Sequence, residues 1–435
     1  MRRWIDDDSG GGMAQVITAD AAAHAAAPVS RAAATARTRA NIVAAASRLF
    51  IERGFGAVSV RDIATEAGLS HPGVIRHFAS KDEILEAVVA EFTAITEADL
   101  ETKFGPTGDG LRTFGEVARR NAEIEGYLPL FSVLAGEATS DAHPAHEHFR
   151  ERHAELRARS SVLFQAAIDA GELPPGTDAM GETIRLAAAW DGLQLMSLYL
   201  PGRFDLPTLL DAHLAQLRGE PVPAGLVPAS PSLPLFEPDP VDVGYAPGRV
   251  RRLQIIADAS TLFASRGFHA TSLREIADQV GIGKSTLLHH FSSKEELLAA
   301  VIARRDATID IRSEFAAVVG PLNALDGLAE SARIAADLEP GLIELYAVLS
   351  AEAAAPTHPG HAYFERRFEW GISRFTTLFE AAAPALRADL DPVFEATWII
   401  ALWDGLQLQW LYDPESVDVA EQLAAHLAHL ARPVE

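Results

Sequence analysis

The amino-acid sequence contains the same long segment twice. Residues 39–88 align with residues 252–301 without a gap, and 24 of the 50 aligned positions are identical. The similarity returns between residues 131–149 and 346–364. A repeating unit of about 180 residues is far longer than the units of solenoid proteins. The sequence therefore predicts a duplicated module whose two copies share one fold.

Segments of unusual composition flank and separate the two copies. Residues 1–35 hold an acidic run, a glycine run and an alanine-rich stretch, and we expect a flexible tail there. Residues 219–248 are rich in proline, which favours an extended, polyproline-like linker. Copy 1 then consists of head 1 and body 1, and copy 2 of head 2 and body 2, with the predicted boundaries 36–88, 89–218, 249–301 and 302–435.

The hydrophobic periodicity of both copies is that of α-helices. Ile42, Ala46, Leu49 and Phe50 recur at spacings of three and four residues, and copy 2 repeats the pattern. Capping boxes of the form Ser-x-x-Glu open the long helix that follows each head, at Ser80 and Ser293. Ser272 and Glu275 form another such box, and Ser59 and Asp62 are its weaker counterpart in head 1. No alternating run of β-branched residues is long enough to form a sheet. We therefore predict an all-α fold for both copies.

Each head contains two short helices joined by a tight turn. In head 1 we expect them at residues 60–67 and 71–77, and in head 2 at residues 273–280 and 284–290. A glycine in the connecting turn is typical of a helix-turn-helix unit. Its second helix has the size that fits the major groove of DNA. The pattern therefore predicts two DNA-binding heads.

Three sequence motifs occur in both heads. In head 1 they are A-x-x-L-F-x-x-x-G-F at residues 46–55, S-x-R-x-I-A at 59–64 and H-F-x-S-K-x-E-x-L at 77–85. In these residues the chain resembles the TetR/AcrR family of bacterial transcriptional regulators, and the resemblance extends over nearly all of the chain after residue 35. It implies a three-helix DNA-binding domain and a helical ligand-binding domain in each copy. It also implies a dimer formed through the last two helices, and a repressor that a small molecule releases from DNA.

The recognition helices depart from the family pattern and from each other. Where the family usually has a tyrosine that touches a DNA phosphate, the chain has Ile75 and Leu288. Head 1 also reads His-Pro-Gly where head 2 reads Lys-Ser-Thr. We therefore keep a second hypothesis, a helical sensor or interaction protein whose heads have weakened or lost DNA binding.

Charge is unevenly distributed along the chain. The formal net charge is −23, but residues 31–90 and 249–303 each carry +2, which leaves −27 for the remainder. Two mildly basic heads on acidic bodies favour DNA binding through the heads alone. The residues that we expect to contact phosphate are Arg39, Ser59, Lys81, Arg252, Ser272 and Lys294. Candidates for contact with bases are His71, Arg76, His77, Lys284, Ser285, Thr286 and His289, for which the alternative is a solvated helix face.

The bodies carry two further signals. Glu137 and Glu352 recur on apolar segments, where a carboxylate is unusual, and we favour an ion pair with an arginine such as Arg152 or Arg367 over a place in a ligand pocket. The candidate pocket residues are Phe131, Glu137, Trp190, Tyr346, Glu352 and Trp403.

The second signal is the motif Trp-Asp-Gly-Leu-Gln-Leu, which occurs at 190–195 and 403–408 on apolar helical segments. The resemblance places this motif in the dimer interface, with plain core packing and a ligand pocket as alternatives. The interface residues would be Trp190, Gly192, Leu193, Leu195, Trp403, Gly405, Leu406 and Leu408.

Other functional classes lack support in the sequence. The absence of cysteine excludes a disulfide framework, a cysteine-ligated zinc site and a thiol nucleophile. Of the histidines between residues 143 and 153, only His143 and His146 recur in copy 2, so we expect a helix boundary there and no metal site. No cofactor fingerprint, catalytic constellation or apolar span of about 20 residues occurs, so we expect no cofactor, no enzyme activity and a cytoplasmic protein. The expected partners are double-stranded operator DNA, an unidentified small-molecule effector, and either the other copy within the chain or a second chain.

Overall fold

The computed structural model describes residues 31–104, 110–230, 246–304, 320–338 and 340–432. These residues form helices and turns with one isolated bridge, Leu386 to Ala431, and they contain no strand, so the all-α prediction is confirmed. Copy 1 contributes α1 (Arg31–Ala57), α2 (Val60–Glu66), α3 (His71–Ile75), α4 (Lys81–Phe104), α5 (Arg112–Glu123), α6 (Tyr127–Glu137), α7 (His146–Asp169), α8 (Ala179–Tyr199) and α9 (Leu206–Leu217). Copy 2 contributes α10 (Ala246–Ala270), α11 (Leu273–Val280), α12 (Lys284–His290), α13 (294–304), α14 (Pro321–Leu338), α15 (Pro340–Glu352), α16 (His361–Ala382), α17 (Pro392–Tyr412) and α18 (Val419–Leu430).

The chain divides into two compact units, Met1–Ala40 and Asn41–Glu435. In the first unit the described residues are the opening turns of α1, which begins at Arg31, inside the segment assigned to the tail. The remainder of that segment lies outside the described residues. All contacts reported below lie within the second unit.

A bend in the first helix of each head returns an aromatic side chain to the core. Gly54 and Gly267 have φ values of 77° and 79°, in the left-handed region that glycine adopts without strain. After the first bend, the Phe55 ring packs edge-on against Phe50, with 5.5 Å between the ring centroids. The helix that we expected to end at Gly54 therefore continues, after this break, to Ala57.

Side-chain caps fix where the short helices begin. The predicted capping boxes Ser59/Asp62 and Ser272/Glu275 are both formed, with side-chain and backbone bonds in each direction. At the start of α4 the expected box differs in one detail. Glu83 donates its backbone N–H to the Ser80 hydroxyl, but its carboxylate accepts the N–H of Ala79.

Copy 1 and copy 2 pack against each other within the chain, chiefly through α8 and α17. These helices approach so closely that a Cβ atom at Gly192 would overlap the backbone of Ala401, and one at Gly405 would overlap that of Ala188. The two contacts are reciprocal, because residues 188 and 401 correspond in the repeat. The pair therefore has approximate twofold symmetry about the crossing point.

Two tyrosine hydroxyl groups make equivalent bonds across the same interface. Tyr199 at the end of α8 donates to the carbonyl oxygen of Ser350, and Tyr412 at the end of α17 donates to that of Ala135. Both tyrosines are buried, so each bond satisfies a hydroxyl that water cannot reach. Each copy thus hydrogen-bonds to α6 or α15 of the other.

The first part of the linker contacts copy 2. Ser230 donates to the Glu369 carboxylate at 2.6 Å, Gly225 donates its N–H to Asp391 at 2.8 Å, and Val227 is 2% exposed. The linker therefore lies along body 2 up to residue 230, while residues 231–245 lie outside the described part. None of the helices in the described ranges has the length and apolar character needed to cross a membrane.

Candidate nucleic-acid interface

The second short helix of head 1 presents polar side chains to solvent. His71 and Arg76 stand at either end of α3 and are exposed, and His77 is half-buried. Val74 turns inward and is completely buried, which anchors this short helix to the core. Ser70 caps the helix by accepting the N–H of Gly73 at 3.2 Å.

The corresponding helix of head 2 exposes a different set of side chains. Leu287 is its buried anchor, at the position equivalent to Val74. The exposed polar side chains of α12 are Lys284, Ser285, Thr286 and His289. The two heads thus hold their second helices in the same way but differ in the groups available for contact with bases.

The positions that depart from the family pattern lie on these exposed faces. Ile75 is 40% exposed and Leu288 is 39% exposed, whereas most large apolar side chains in the heads are buried. An aliphatic side chain can contact a thymine methyl group but cannot donate to a phosphate. The two aliphatic side chains are thus compatible with base contact by a DNA-binding head, and also with a head that has lost a phosphate contact.

The serines expected at phosphates serve first as helix caps. Ser59 and Ser272 are exposed, and their hydroxyl groups accept the backbone N–H groups of Asp62 and Glu275, each at 3.2 Å. The carboxylate of Glu275 in turn accepts the N–H of Ser272 at 2.8 Å. A cap at this place fixes the start of the first helix of each helix-turn-helix unit.

The two lysines expected at phosphates lie partly inside the heads. The Lys81 ammonium donates to the carbonyl oxygen of Phe55 at 2.8 Å and lies 4.0 Å from the centre of its ring. The Lys294 ammonium donates to the carbonyl oxygens of Phe268 and Thr271, both at 2.9 Å. Burial lowers the pKa of both lysines. Both side chains therefore also stabilise the bend within α1 or α10.

The two predicted arginines are placed differently. The Arg252 guanidinium donates to the carbonyl oxygen of His290 at 2.5 Å and lies 3.9 Å from the ring centre of Phe291. Arg39 lies on α1 in the first compact unit and is partly exposed.

A buried glutamate joins each body to its head. The Glu137 carboxylate at the end of α6 accepts the N–H of Phe55 at 2.7 Å, and the Glu352 carboxylate at the end of α15 accepts the N–H groups of Phe268 and His269. Burial raises the pKa of Glu137 to about 8 and that of Glu352 to about 7. Both groups are placed where a shift of α6 or α15 would move the bend in the head.

The expected ion pairs of these glutamates are not formed in the described part of the chain. Arg152 instead donates to the Tyr127 hydroxyl at 3.5 Å, and Arg367 donates to the Tyr346 hydroxyl at 2.6 Å. The sequence signal, a recurring carboxylate on an apolar helix, was correct, but the partner is the backbone of the head.

Two small cavities, each of about 30 Å³, lie in the bodies. The first lies in body 1 between α4, α6 and α7, and the second lies between the two copies beside Asp191 and Asp404. Of the candidate pocket residues, Phe131 lines both cavities and Tyr346 lines the second. Glu137 and Glu352 contact the heads, and Trp190 and Trp403 are partly buried against the core without lining either cavity.

The candidate interface residues lie along the contact between the copies. Gly192 and Gly405 are at the crossing point of α8 and α17, and Leu193 and Leu406 are completely buried. Leu195 and Leu408 line the cavity between the copies.

One group of side chains within the described ranges has the spacing of a metal site, namely His269, Glu352 and His358. Its geometry argues against a bound ion. His358 Nδ1 accepts the N–H of Gly360 at 3.0 Å, which leaves the ring proton on Nε2. His143 does the same with Ala145 in copy 1, where glycine replaces His269. We read both histidines as parts of the turn.

Comparison with protein families gives matches within both heads and both bodies. Residues 42–88 and 255–301 match the model for bacterial regulatory proteins of the tetR family. Residues 133–219 and 336–434 match the model for the C-terminal part of BetI-type transcriptional repressors. The matches follow the order head, body, head, body.

Individual relatives correspond to parts of the chain. The transcriptional activator FasR of Mycolicibacterium smegmatis is 41% identical over 93 residues, which are 21% of this chain and 36% of FasR. The transcriptional repressor KstR2 of Rhodococcus jostii is 32% identical over 159 residues, which are 36% of this chain and 66% of KstR2. The chain thus spans less than two thirds of either protein. The structure of the ketosteroid transcriptional regulator KstR2 of Mycobacterium tuberculosis aligns with a TM-score of 0.33 at 25% identity, covering 42% of this chain and 96% of that one.

Proposed function

The chain belongs to the TetR family of bacterial regulatory proteins, and on that premise we propose that it is a cytoplasmic DNA-binding transcription regulator whose single chain supplies both heads. Each copy provides one helix-turn-helix head and one body, and the two bodies replace the two subunits of a dimer. The observation that carries this proposal is the reciprocal contact of α8 with α17 inside one chain. Because the copies are linked, each has its partner at an effective concentration that a short tether sets near the millimolar range.

The operator of such a protein is an imperfect palindrome. The helix-turn-helix framework is the same in both heads, so the half-sites lie about one helical turn apart, as for a dimer of identical heads. The exposed side chains differ, with His71 and Arg76 in head 1 and Lys284 and Thr286 in head 2. The two half-sites therefore differ in sequence.

We further propose that a small molecule relieves repression by acting on a body. Buried glutamates connect α6 and α15 to the bends of the heads. A ligand that moves either helix would change the distance or angle between the two recognition helices. Heads held at the wrong spacing lose DNA affinity because both can no longer enter successive grooves.

A second candidate function is a sensor that does not bind DNA. The exposed aliphatic side chains of Ile75 and Leu288 favour it, since they stand where a phosphate-binding hydroxyl is usual in the family. Under this alternative the heads would contact a protein partner through these apolar side chains.

Selection of bound sequences from a random DNA library, using the full chain, tests both functions. We expect enrichment of a site with two unlike half-sites, bound by one chain in sedimentation. Lys284→Ala should relax the preference in one half-site only, at a cost of about 1–3 kcal/mol, and Arg76→Ala should relax it in the other. Failure to enrich any sequence at low salt favours the sensor. A perfect palindrome bound by two chains would contradict the one-chain arrangement.

A further inference from the structure

The cavity of body 1 combines an apolar wall with one cation. Phe92, Tyr127, Leu130, Phe131 and Phe149 contribute to the wall, and the Arg152 guanidinium lies at its edge. With about 30 Å³ the cavity has the space of a single water molecule, so a larger ligand must part these side chains. An apolar wall of this kind favours an apolar molecule, and the cation selects its head group.

The charge of Arg152 is poorly satisfied within the described part of the chain. Among the described residues its single hydrogen bond is the 3.5 Å contact with the Tyr127 hydroxyl, and its guanidinium lies 5.4 Å from the ring centre of Phe131. No carboxylate of the described residues forms an ion pair with it. A half-buried guanidinium with one weak bond and an aromatic neighbour is a ready partner for a carboxylate, which it can bind through two parallel hydrogen bonds.

In copy 2 the corresponding arginine charge is compensated by groups of the protein itself. Arg367, the counterpart of Arg152, donates to the Tyr346 hydroxyl at 2.6 Å, and that hydroxyl donates to the Asp404 carboxylate at 2.9 Å. The phenol hydroxyl therefore links the arginine to a carboxylate through two hydrogen bonds. Copy 1 cannot form this relay, because Phe131 stands at the position of Tyr346 and has no hydroxyl.

Asp191, the counterpart of Asp404, has a different partner. It accepts a hydrogen bond from Gln409 of copy 2 at 3.3 Å, and burial raises its pKa to about 7. Burial raises the pKa of Asp191 and the Arg152 charge lowers it, but within the described residues the two groups form no ion pair. Phenylalanine in place of tyrosine at residue 131 thus removes the link to a carboxylate that copy 2 has, and Arg152 bonds instead to Tyr127, where copy 2 has Leu342.

We propose that copy 1 alone is the effector-binding half, and that its ligand is an apolar molecule with a single carboxylate, bound by Arg152 and inserted between α4, α6 and α7. This inference rests on the proposed function and specifies its regulation. A single guanidinium matches one negative charge, which favours a carboxylate over a phosphate monoester with nearly two. Copy 2 holds its own head in a fixed position.

The same helix that lines the cavity also contacts the head. α6 supplies Tyr127, Leu130 and Phe131 to the cavity and ends at Glu137, whose carboxylate accepts the N–H of Phe55. A ligand that widens the cavity pushes α6, and the carboxylate carries that displacement to the bend in head 1. The signal therefore reaches one recognition helix and changes its position relative to the other.

Calorimetry with the full chain tests the proposal, with decanoate as the probe and decanol as its neutral counterpart. We expect decanoate to bind at one site per chain, at least about tenfold more tightly than decanol, as a charge-assisted hydrogen bond implies. Arg152→Met should abolish this preference while decanol binding persists, which shows that the variant is folded. Arg367→Met is the matched control and should lower Tm without changing the preference.

Phe131→Tyr provides a second, independent variant. It gives copy 1 the phenol that copy 2 has, so it should weaken decanoate binding several-fold and leave decanol less affected. Two equivalent sites per chain, no saturable binding, or an unchanged preference in Arg152→Met would overturn the proposal. DNA binding is measured separately: a chain that binds operator DNA but not decanoate refutes this inference alone, and one that binds decanoate but no DNA refutes the proposed function alone.

Discussion

The two copies join head to body in the same way, but some of the polar contacts between their bodies differ. Glu137 contacts the N–H of Phe55 in copy 1, and Glu352 contacts that of Phe268 in copy 2. The glycines and tyrosines that bring the bodies together are likewise reciprocal. These shared features form a common framework that both copies need in order to fold and pair.

Unlike the two tyrosines, the buried Arg185 has no reciprocal contact across the interface. Arg185 of copy 1 donates to Gln422 of copy 2 at 2.6 Å, but its counterpart in copy 2 is Trp398, whose ring stacks on His213 with 4.1 Å between the ring centroids. If two copies of body 1 met in the same way, Arg185 would face Leu209, the counterpart of Gln422. The contact surface of body 1 is therefore more complementary to body 2 than to a second copy of body 1.

Loss of the Arg185 contacts, which have no counterpart in the repeat, should lower the free energy of unfolding more than any other change proposed below. Arg185 is 5% exposed and binds both Glu182 of its own helix, at 2.7 Å, and Gln422. Arg185→Ala leaves the Glu182 carboxylate buried without its cation, so we expect a loss of about 3–5 kcal/mol in the free energy of unfolding. Chemical denaturation measures this loss.

The control removes both charges. In the double variant Glu182→Met and Arg185→Met no buried charge is left unpaired, and most of the stability should return. If Arg185→Ala proves as stable as the parent protein, the unlike contacts do not hold the copies together.

Breaking the shared framework should cost somewhat less and should affect both copies equally. Gly192→Ala and Gly405→Ala each place a methyl group against the backbone of the other copy, so we expect about 1–3 kcal/mol of destabilisation from each, by denaturation. Gly327 lies in a helix with open space around its Cα atom, and Gly327→Ala is the matched control, expected to be neutral or stabilising. A large difference between the two interface variants would contradict the approximate symmetry.

The sequence predicts the framework better than the contacts between its parts. Helices, caps and the duplication depend on neighbouring residues, and the boxes at Ser59 and Ser272 form as expected. The partner of Glu137 lies 82 residues away, and the partner of Arg185 lies 237 residues away. A single sequence shows that a buried polar residue needs a partner, but it does not show which backbone group or side chain the fold brings there.

The pH dependence of stability reports on both head–body junctions, which are coupled because burial raises the pKa of Glu137 and the Glu352 charge adds to that rise. Burial raises the pKa of Glu137 to about 8 and of Glu352 to about 7, from an unperturbed value near 4.5. The folded protein then keeps protons that the unfolded chain releases, so the contribution of these two carboxyl groups to stability is complete below about pH 4.5 and is lost as the pH rises through their folded pKa values.

Glutamine mimics the protonated form at each junction. Glu137→Gln should flatten the fall of Tm up to about pH 8, and Glu352→Gln should flatten it up to about pH 7. Asp191, whose pKa is also raised, is unchanged in both variants and cancels in the difference from the parent. Parallel Tm profiles in parent and variants would exclude these carboxyl groups as the cause.

The smallest expected effect concerns the two lysines at the bends. The Lys81 ammonium donates one of its three N–H groups to the carbonyl oxygen of Phe55, at 2.8 Å. The Lys294 ammonium contacts the carbonyl oxygens of Phe268, His269 and Thr271, at 2.9, 3.5 and 2.9 Å. Lys81 therefore keeps N–H donors that can bind a DNA phosphate, whereas all three N–H donors of Lys294 contact carbonyl oxygens of head 2.

Salt titration of DNA binding distinguishes these roles. Lys81→Ala should weaken binding to all sequences alike and reduce the slope of log K against log salt concentration by about 1. Lys294→Ala should instead lower Tm and leave the slope nearly unchanged, because its carbonyl contacts hold head 2 together without releasing counterions. Equal losses of slope in the two variants would mean that Lys294 exchanges a carbonyl for a phosphate on binding, and that the heads grip DNA alike despite their different internal bonds.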